Sequence, residues 1–180
     1  DISIRKQLQL KLEENANQLD LFFQQSLDGF FFMMLDKPVE WNDSVDKEAV
    51  LDYVFEHQRI TKINKAMLHQ YRASESDFIG LTPADFYQHD IPGGRKLWRK
   101  FFDEGHLHID TDERRFDGSS AVIEGDYIIL TNLLGQITGH FGVQRDVTSE
   151  RDGEFQLQRY IAINDQNVII SQTDMDGIIT

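Results

Sequence analysis

Six histidines and a dense set of carboxylates are the residues of this 180-residue chain that could do chemistry. His106 and His108 lie two apart, so on a strand they share a face, as two ligands of one metal would. No third ligand stands at a spacing that completes such a site, and no metal is expected. Asp103-Glu104 and Asp110, Asp112 and Glu113 offer paired carboxylates of the kind general acid–base catalysis uses. They sit beside Arg114-Arg115 in a run of alternating charge, which reads as a solvated cross-strand face. No P-loop, nucleophile elbow, zinc-protease, cyclase or kinase signature is present, so no catalytic residue is expected.

A different constellation lies near the end of the apolar pattern. His140, Gly142 and Gln144 are two apart in turn, so on a strand they line one face. A histidine and a glutamine with a glycine between them could line a small-molecule pocket. They could equally hydrogen-bond inside a filled core, or face solvent if the register slips by one. Phe32 and Met34 lie in the most apolar run of the chain, where methionine can form an adaptable cavity wall. Trp98, Phe101 and Phe102 share a helical stripe that would pack on a sheet.

Composition narrows the classes. Eighteen Lys and Arg against 31 Asp and Glu give a formal charge of −13. Such a chain repels phosphate, so neither nucleic acid nor a membrane surface is an expected partner. With no cysteine, a disulfide scaffold, a thiol nucleophile and cysteine-based zinc sites are all excluded. No apolar run approaches the roughly 20 residues of a spanning helix. There is no signal-peptide pattern and no initiator methionine, and a cytoplasmic piece of a longer protein is the expectation.

The elements that must position these residues follow from pattern. Residues 1–27 lack Gly and Pro and place Leu8, Leu12, Asn15, Leu19 and Phe22 at alternating spacings of four and three. This is an amphipathic helix packed on its own domain or a coiled-coil connector, and the spacing fits both. Phe30 to Leu35 reads as a buried strand, Lys37-Pro38 as loop, residues 45–52 as a short helix and Arg59 to Asn64 as a half-buried strand. Lys65 to Tyr71 is helical. Ser74-x-x-Asp77 and Thr82-Pro83-x-Asp85 are helix starts. A longer helix from Arg95 to Phe102 stops at Gly105. Three strands follow, Leu107–Phe116, Ala121–Thr131 and Gln136–Val147, and then a polar helix from Thr148. Grouped strands and helices in this order argue for an α+β fold with an antiparallel sheet.

That order resembles a PAS sensor domain, and three stretches carry the likeness. They are Gln25-Ser26-Leu27-Asp28-Gly29-Phe30-Phe31, the pair Ile63–Leu68 and Asp77–Asp85, and Gly135–Glu150 with its Asp146-Val147-Thr148 corner. The resemblance implies a five-stranded antiparallel sheet with short helices on one face, flanked by N- and C-terminal helices. It divides the chain into a helix at 1–27, a PAS domain at 28–148 and an exit connector helix at 149–162. Residues 163–180 resemble the truncated start of a second PAS domain.

The likeness further implies a non-catalytic sensory and dimerisation module. Asp146 and Thr148 would couple sheet motion to the exit helix, and a histidine kinase or cyclic-di-GMP enzyme would follow as output. In light-oxygen-voltage members a glutamine on the last strand faces flavin, and Gln144 is similar in place. Without cysteine, cysteinyl–flavin photochemistry is excluded. Haem is not expected, because the long helix carries no histidine. The implied pocket set is Gln144, His140, Gly142, Asn64, Phe32, Met34 and Trp98. The implied partner is a second copy, held through the N-terminal helix and the sheet face. The alternative is a receptor with a bound metabolite or cofactor.

Overall fold

The computed structural model describes residues 2–175. Helix α1 (Ile2–Gln25) precedes strand β1 (Gly29–Val39), helix α2 (Lys47–His57) and strand β2 (Gln58–Ile63). Four helices follow: α3 (Lys65–Tyr71), α4 (Glu75–Phe78), α5 (Pro83–Phe86) and α6 (Ile91–Glu104). Strands β3 (His106–Arg114), β4 (Ser120–Thr131) and β5 (Ile137–Asp146) lead into α7 (Thr148–Met175). The five strands form one antiparallel sheet in the order β2-β1-β5-β4-β3. The α+β expectation holds, with the short helices on one face.

Local chemistry accounts for the helix ends. Asp46 accepts from the amides of Glu48 and Ala49 and so starts α2, which runs unbroken where a shorter helix was expected. Ser74 with Asp77 and Thr82 with Asp85 form reciprocal capping boxes, as their spacing predicts. Asp90 accepts from the Gly93 amide, so Pro92-Gly93-Gly94 is the first turn of α6 rather than a loop before it. Gly105 ends α6 at φ 76°, a conformation that costs glycine no Cβ clash.

Two further differences have physical causes. β1 continues through Lys37-Pro38, expected as loop. The β1–β5 register breaks between Met34 and Val39, which spares Pro38 from donating to a regular ladder. α7 remains helical through residues 163–175, where the sequence likeness of residues 163–180 implies a first strand. That stretch holds no Gly or Pro, and a helix satisfies its own backbone where a lone strand would not. The Asp176-Gly177 turn that the same likeness implies falls outside the described residues.

Alternation along β1 buries Phe31 and Met33 against the helices and turns Phe30 and Phe32 to the opposite face. There Phe32 meets Phe23 at 5.7 Å and Phe141 at 5.0 Å, so the end of α1 covers part of the outer sheet. The rest of α1 is uncovered: Leu8, Leu12, Leu19 and Phe22 are all exposed. On the helical side the core divides. One cluster centres on Phe31, Ile60, Met67 and Phe78, the other on Val54, Phe55, Phe101 and Ile137. Trp98 and Tyr127 pack against both.

Candidate functional site

A cavity of about 450 Å³ lies where those two clusters fail to merge. Its walls come from the inward positions of all five strands and from α3 to α6. Phe31 and Met33 stand on β1, Ile60 on β2, Tyr127 on β4, and His140 and Gln144 on β5. Trp98 and Phe101 close it from α6, and Met67 and Tyr71 from α3. On β3 the pleat turns Leu107, Ile109, Thr111 and Glu113 inward and His108, Asp110 and Asp112 outward. Phe86, His89, Asp112 and Arg114 are exposed and make the rim.

Two hydrogen-bonded chains set the polarity of this space. In the first, Trp98 Nε1, which can only donate, gives its proton to Gln58 Oε1 at 2.8 Å. That fixes the Gln58 amide, whose Nε2 then donates to Met33 O at 3.2 Å and to His140 Nδ1 at 3.0 Å. Nδ1 is therefore an acceptor, and the imidazole keeps its proton on Nε2. Burial pushes His140 down to about 3, so it stays neutral, ringed by Phe31, Trp98, Phe101 and Tyr127. A ring whose remaining nitrogen is a donor does not fit as an axial ligand of haem iron.

In the second chain the Tyr71 hydroxyl lies 2.6 Å from Glu113 Oε2 and 2.9 Å from Gln144 Oε1. Thr111 Oγ1 donates to Glu113 Oε1 at 2.6 Å. Gln144 Nε2 donates to the Tyr127 hydroxyl at 2.8 Å. Burial, with the Glu113 charge added, pushes the Tyr71 phenol far above its ordinary range, so it donates and does not ionise.

The expected pocket residues separate accordingly. His140, Gln144 and Trp98 line the cavity together. Phe32 and Met34 do not: both occupy the outer positions of β1, because the cavity takes Phe31 and Met33. Gly142 shares the inward face but lies beneath the Phe31 ring, which a Cβ there would strike at 2.2 Å. Asn64 is fully buried away from the cavity and caps α3.

Four residues escaped the sequence reading: Gln58, Tyr71, Glu113 and Tyr127. For Glu113 a signal existed, since it stands two, four and six residues from Thr111, Ile109 and Leu107 on one face. Its charge, among other charges, outweighed that pattern. Of the carboxylates expected on a solvated face, Asp110 and Asp112 are there. Asp103 is also exposed, held by Lys47 and Trp41. Among the described residues no three ligands gather as a metal site, and no helix is long and apolar enough to cross a membrane.

The corner after β5 is the second candidate region. Asp146 accepts from the Thr148 amide, and Thr148 Oγ1 accepts from the Val122 amide at 2.9 Å. Arg115 clamps the corner from the β3–β4 hairpin. Its guanidinium donates to Asp146 Oδ2, Thr148 Oγ1, Ser120 O, Ser119 Oγ and the Gln70 carbonyl on α3. Burial alone would raise the Asp146 carboxyl, but Arg115 and the Thr148 donors outweigh it and hold it below the usual carboxylate range. Farther out, Arg151 of α7 pairs with Asp110 of β3 at 2.6 Å. Arg115→Ala is expected to cost about 2 kcal/mol and to speed hydrogen exchange at the first amides of α7. Arg115→Lys is not expected to rescue it, because an ammonium cannot span those acceptors. Equal exchange in the wild type and Arg115→Ala would show that the clamp does not hold the corner.

A family model described as PAS fold matches residues 48–152. No curated protein matches the chain's sequence. Among solved structures, the chain is similar to an RNA-binding light-oxygen-voltage receptor at TM-score 0.57 and 15% identity. The match covers 84% of this chain and 38% of the receptor, so the chain spans well under half of that protein. A PAS domain of a Colwellia psychrerythraea protein matches at TM-score 0.52 and 17% identity, covering 74% of this chain and 98% of that domain. A PAS domain of an HTR-like protein from Haloarcula marismortui matches at TM-score 0.52 and 16% identity, covering 78% and 98%. At such identities these likenesses speak to the fold.

Proposed function

The chain belongs to the PAS-fold family, and from that premise we propose that residues 28–148 are a non-catalytic sensory and dimerisation module of a cytoplasmic signal-transduction protein. One observation carries the reading. β5 forms a wall of the 450 Å³ cavity through His140 and Gln144 and enters α7 at Thr148, four residues past Gln144. Occupancy of the cavity would shift β5, and the Arg115–Asp146–Thr148 corner would pass that shift to the exit helix. Residues 1–27 are the dimerising helix and 149–162 the connector. Residues 163–180 open a second PAS domain on sequence likeness, within a backbone that is helical to Met175. The output belongs to a histidine kinase or a cyclic-di-GMP enzyme.

Hydrogen exchange tests the coupling. Gln144→Leu removes the bonds to Tyr71 and Tyr127 without touching the corner, and a several-fold change in exchange at Thr148 to Arg151 is expected. Unchanged exchange there would remove the proposed route. Dimerisation is supported by the apolar seam of α1, exposed at Leu8, Leu12 and Leu19. Sedimentation of the full chain should give a dimer that Leu12→Asp with Leu19→Asp weakens at least about tenfold. A wild-type monomer at micromolar concentration would refute it.

A second reading, a metabolite or cofactor receptor, is favoured by the cavity itself, whose volume falls in the roughly 300–1,000 Å³ range of small-molecule sites. A light-oxygen-voltage mode through a cysteinyl adduct has no nucleophile here, since the chain has no cysteine.

A further inference from the structure

Glu113 is a half-buried carboxylate turned toward an aromatic cavity, and among the described residues no cation pairs with it. Its two hydrogen bonds, from Tyr71 and Thr111, are from neutral hydroxyls. A carboxylate has about four lone-pair positions, so it retains capacity for a charged donor. The nearby basic side chains are exposed at the rim, as Arg114 and His89 are, or bonded elsewhere. Arg114 is exposed and donates to the Gly118 carbonyl, Arg115 holds Asp146, and Arg72 pairs with Asp117. His140 is neutral because burial disfavours its charge, and the Gln58 amide occupies its Nδ1.

The walls share that polarity. Tyr71, Phe78, Tyr87, Trp98, Phe101 and Tyr127 all line the space. The face of such a ring is the negative part of its quadrupole, with indole the strongest. Burial pushes the Tyr87 and Tyr127 phenols up, and the Glu113 charge adds to both. The carboxylate's field therefore reaches rings on β4 and in the segment between α5 and α6, not only its neighbour Tyr71. Around this lies a chain of net charge −13, which raises the local concentration of cations.

We propose that the cavity takes a small organic cation, an amine or quaternary ammonium on an apolar body, with Glu113 facing its charge and the aromatic rings enclosing it. This rests on reading the cavity as a ligand site. A carboxylate ligand would meet Glu113 inside the cavity, while the basic side chains of the lining, His89 and Arg114, stand out at the exposed rim. A neutral one would leave the carboxylate partly desolvated and unpaired, which is costly.

Calorimetric titration of the full chain with four matched probes tests this. They are phenethylamine, benzyltrimethylammonium, phenethyl alcohol and phenylacetate. A cationic probe should bind about tenfold or more tighter than the alcohol, with phenylacetate weakest, and its affinity should fall with added salt. Glu113→Gln, checked for folding by circular dichroism, should remove the preference while keeping the affinity for the alcohol. Glu113→Asp should keep part of it. Equal or tighter binding of the alcohol or the acid, or a preference that survives Glu113→Gln, overturns the proposal and leaves the ligand-site reading standing. Binding by none of the four at millimolar concentration also overturns it. The ligand-site reading is then judged by the exchange experiment on Gln144→Leu.

Discussion

Asn64→Ala is expected to lower the unfolding free energy by roughly 3–5 kcal/mol, the largest loss for any single polar side chain here. Asn64 is fully buried. Its Oδ1 accepts from the amides of Phe30 at 2.9 Å and Met67 at 3.0 Å. Its Nδ2 donates to the carbonyls of Phe23 at 3.0 Å and Asp28 at 2.9 Å. One amide thus satisfies the end of α1, the loop after it, the start of β1 and the cap of α3. Alanine strands all four backbone groups out of reach of water. Asn64→Asp separates the halves of this account. It keeps the acceptor for Phe30 and Met67 but turns an oxygen toward two carbonyls, so it should also destabilise. Urea unfolding measures both, and a loss below about 1 kcal/mol for alanine would mean that water replaces the side chain.

Acid should unfold the protein earlier than its exposed carboxylates require, and His140 is the reason. An unfolded imidazole takes a proton near 6.5, whereas this buried one holds out to about 3. Between those values the unfolded state binds more protons than the native state. Stability is therefore complete above pH 6.5 and drains away as pH falls toward 3, by on the order of 4 kcal/mol. Asp146 loses its contribution over a lower window, as protonation breaks its pairing with Arg115. Exposed His108 runs the opposite way. Asp126 raises it, so its small contribution is present in acid and lost as pH rises through its shifted value. Urea midpoints between pH 7 and pH 4 should show the His140 slope, and His140→Gln, which cannot titrate, should flatten it. An equal slope in both proteins would assign the acid sensitivity elsewhere.

How much of this was legible in the sequence depended on whether one residue pattern had one structural reading. The capping boxes at Ser74–Asp77 and Thr82–Asp85 did, since their hydrogen bonds are local and complete within four residues. So did the alternation that sets His140 and Gln144 on one face. The run from Phe30 to Leu35 did not. It is apolar on both faces because α1 covers the outer one, so its pleat could not say which residues face the cavity. Phe32 and Met34 were misplaced for that reason. Gln58 sits at a helix-to-strand joint, where neither period applies. Its role appears only once Trp98, forty residues away, is brought alongside. Asn64 was legible as a corner residue, yet its partners at Phe23 and Asp28 belong to another element.

The glycines under the rings bear on the depth of this chamber. A Cβ at Gly142 would lie 2.2 Å from the Phe31 ring, and one at Gly125 would lie 2.4 Å from the Tyr127 hydroxyl. Both aromatics therefore sink into the sheet, and the depth of the chamber is set one layer below the atoms a guest would touch. The volume of the chamber can then be reset without altering a single lining residue. A methyl group placed under Phe31 pushes that ring toward the chamber, and one under Tyr127 also displaces the hydroxyl that accepts from Gln144. If the chamber takes a ligand, as proposed, descendants of one such sequence would differ first in the bulk of what they admit.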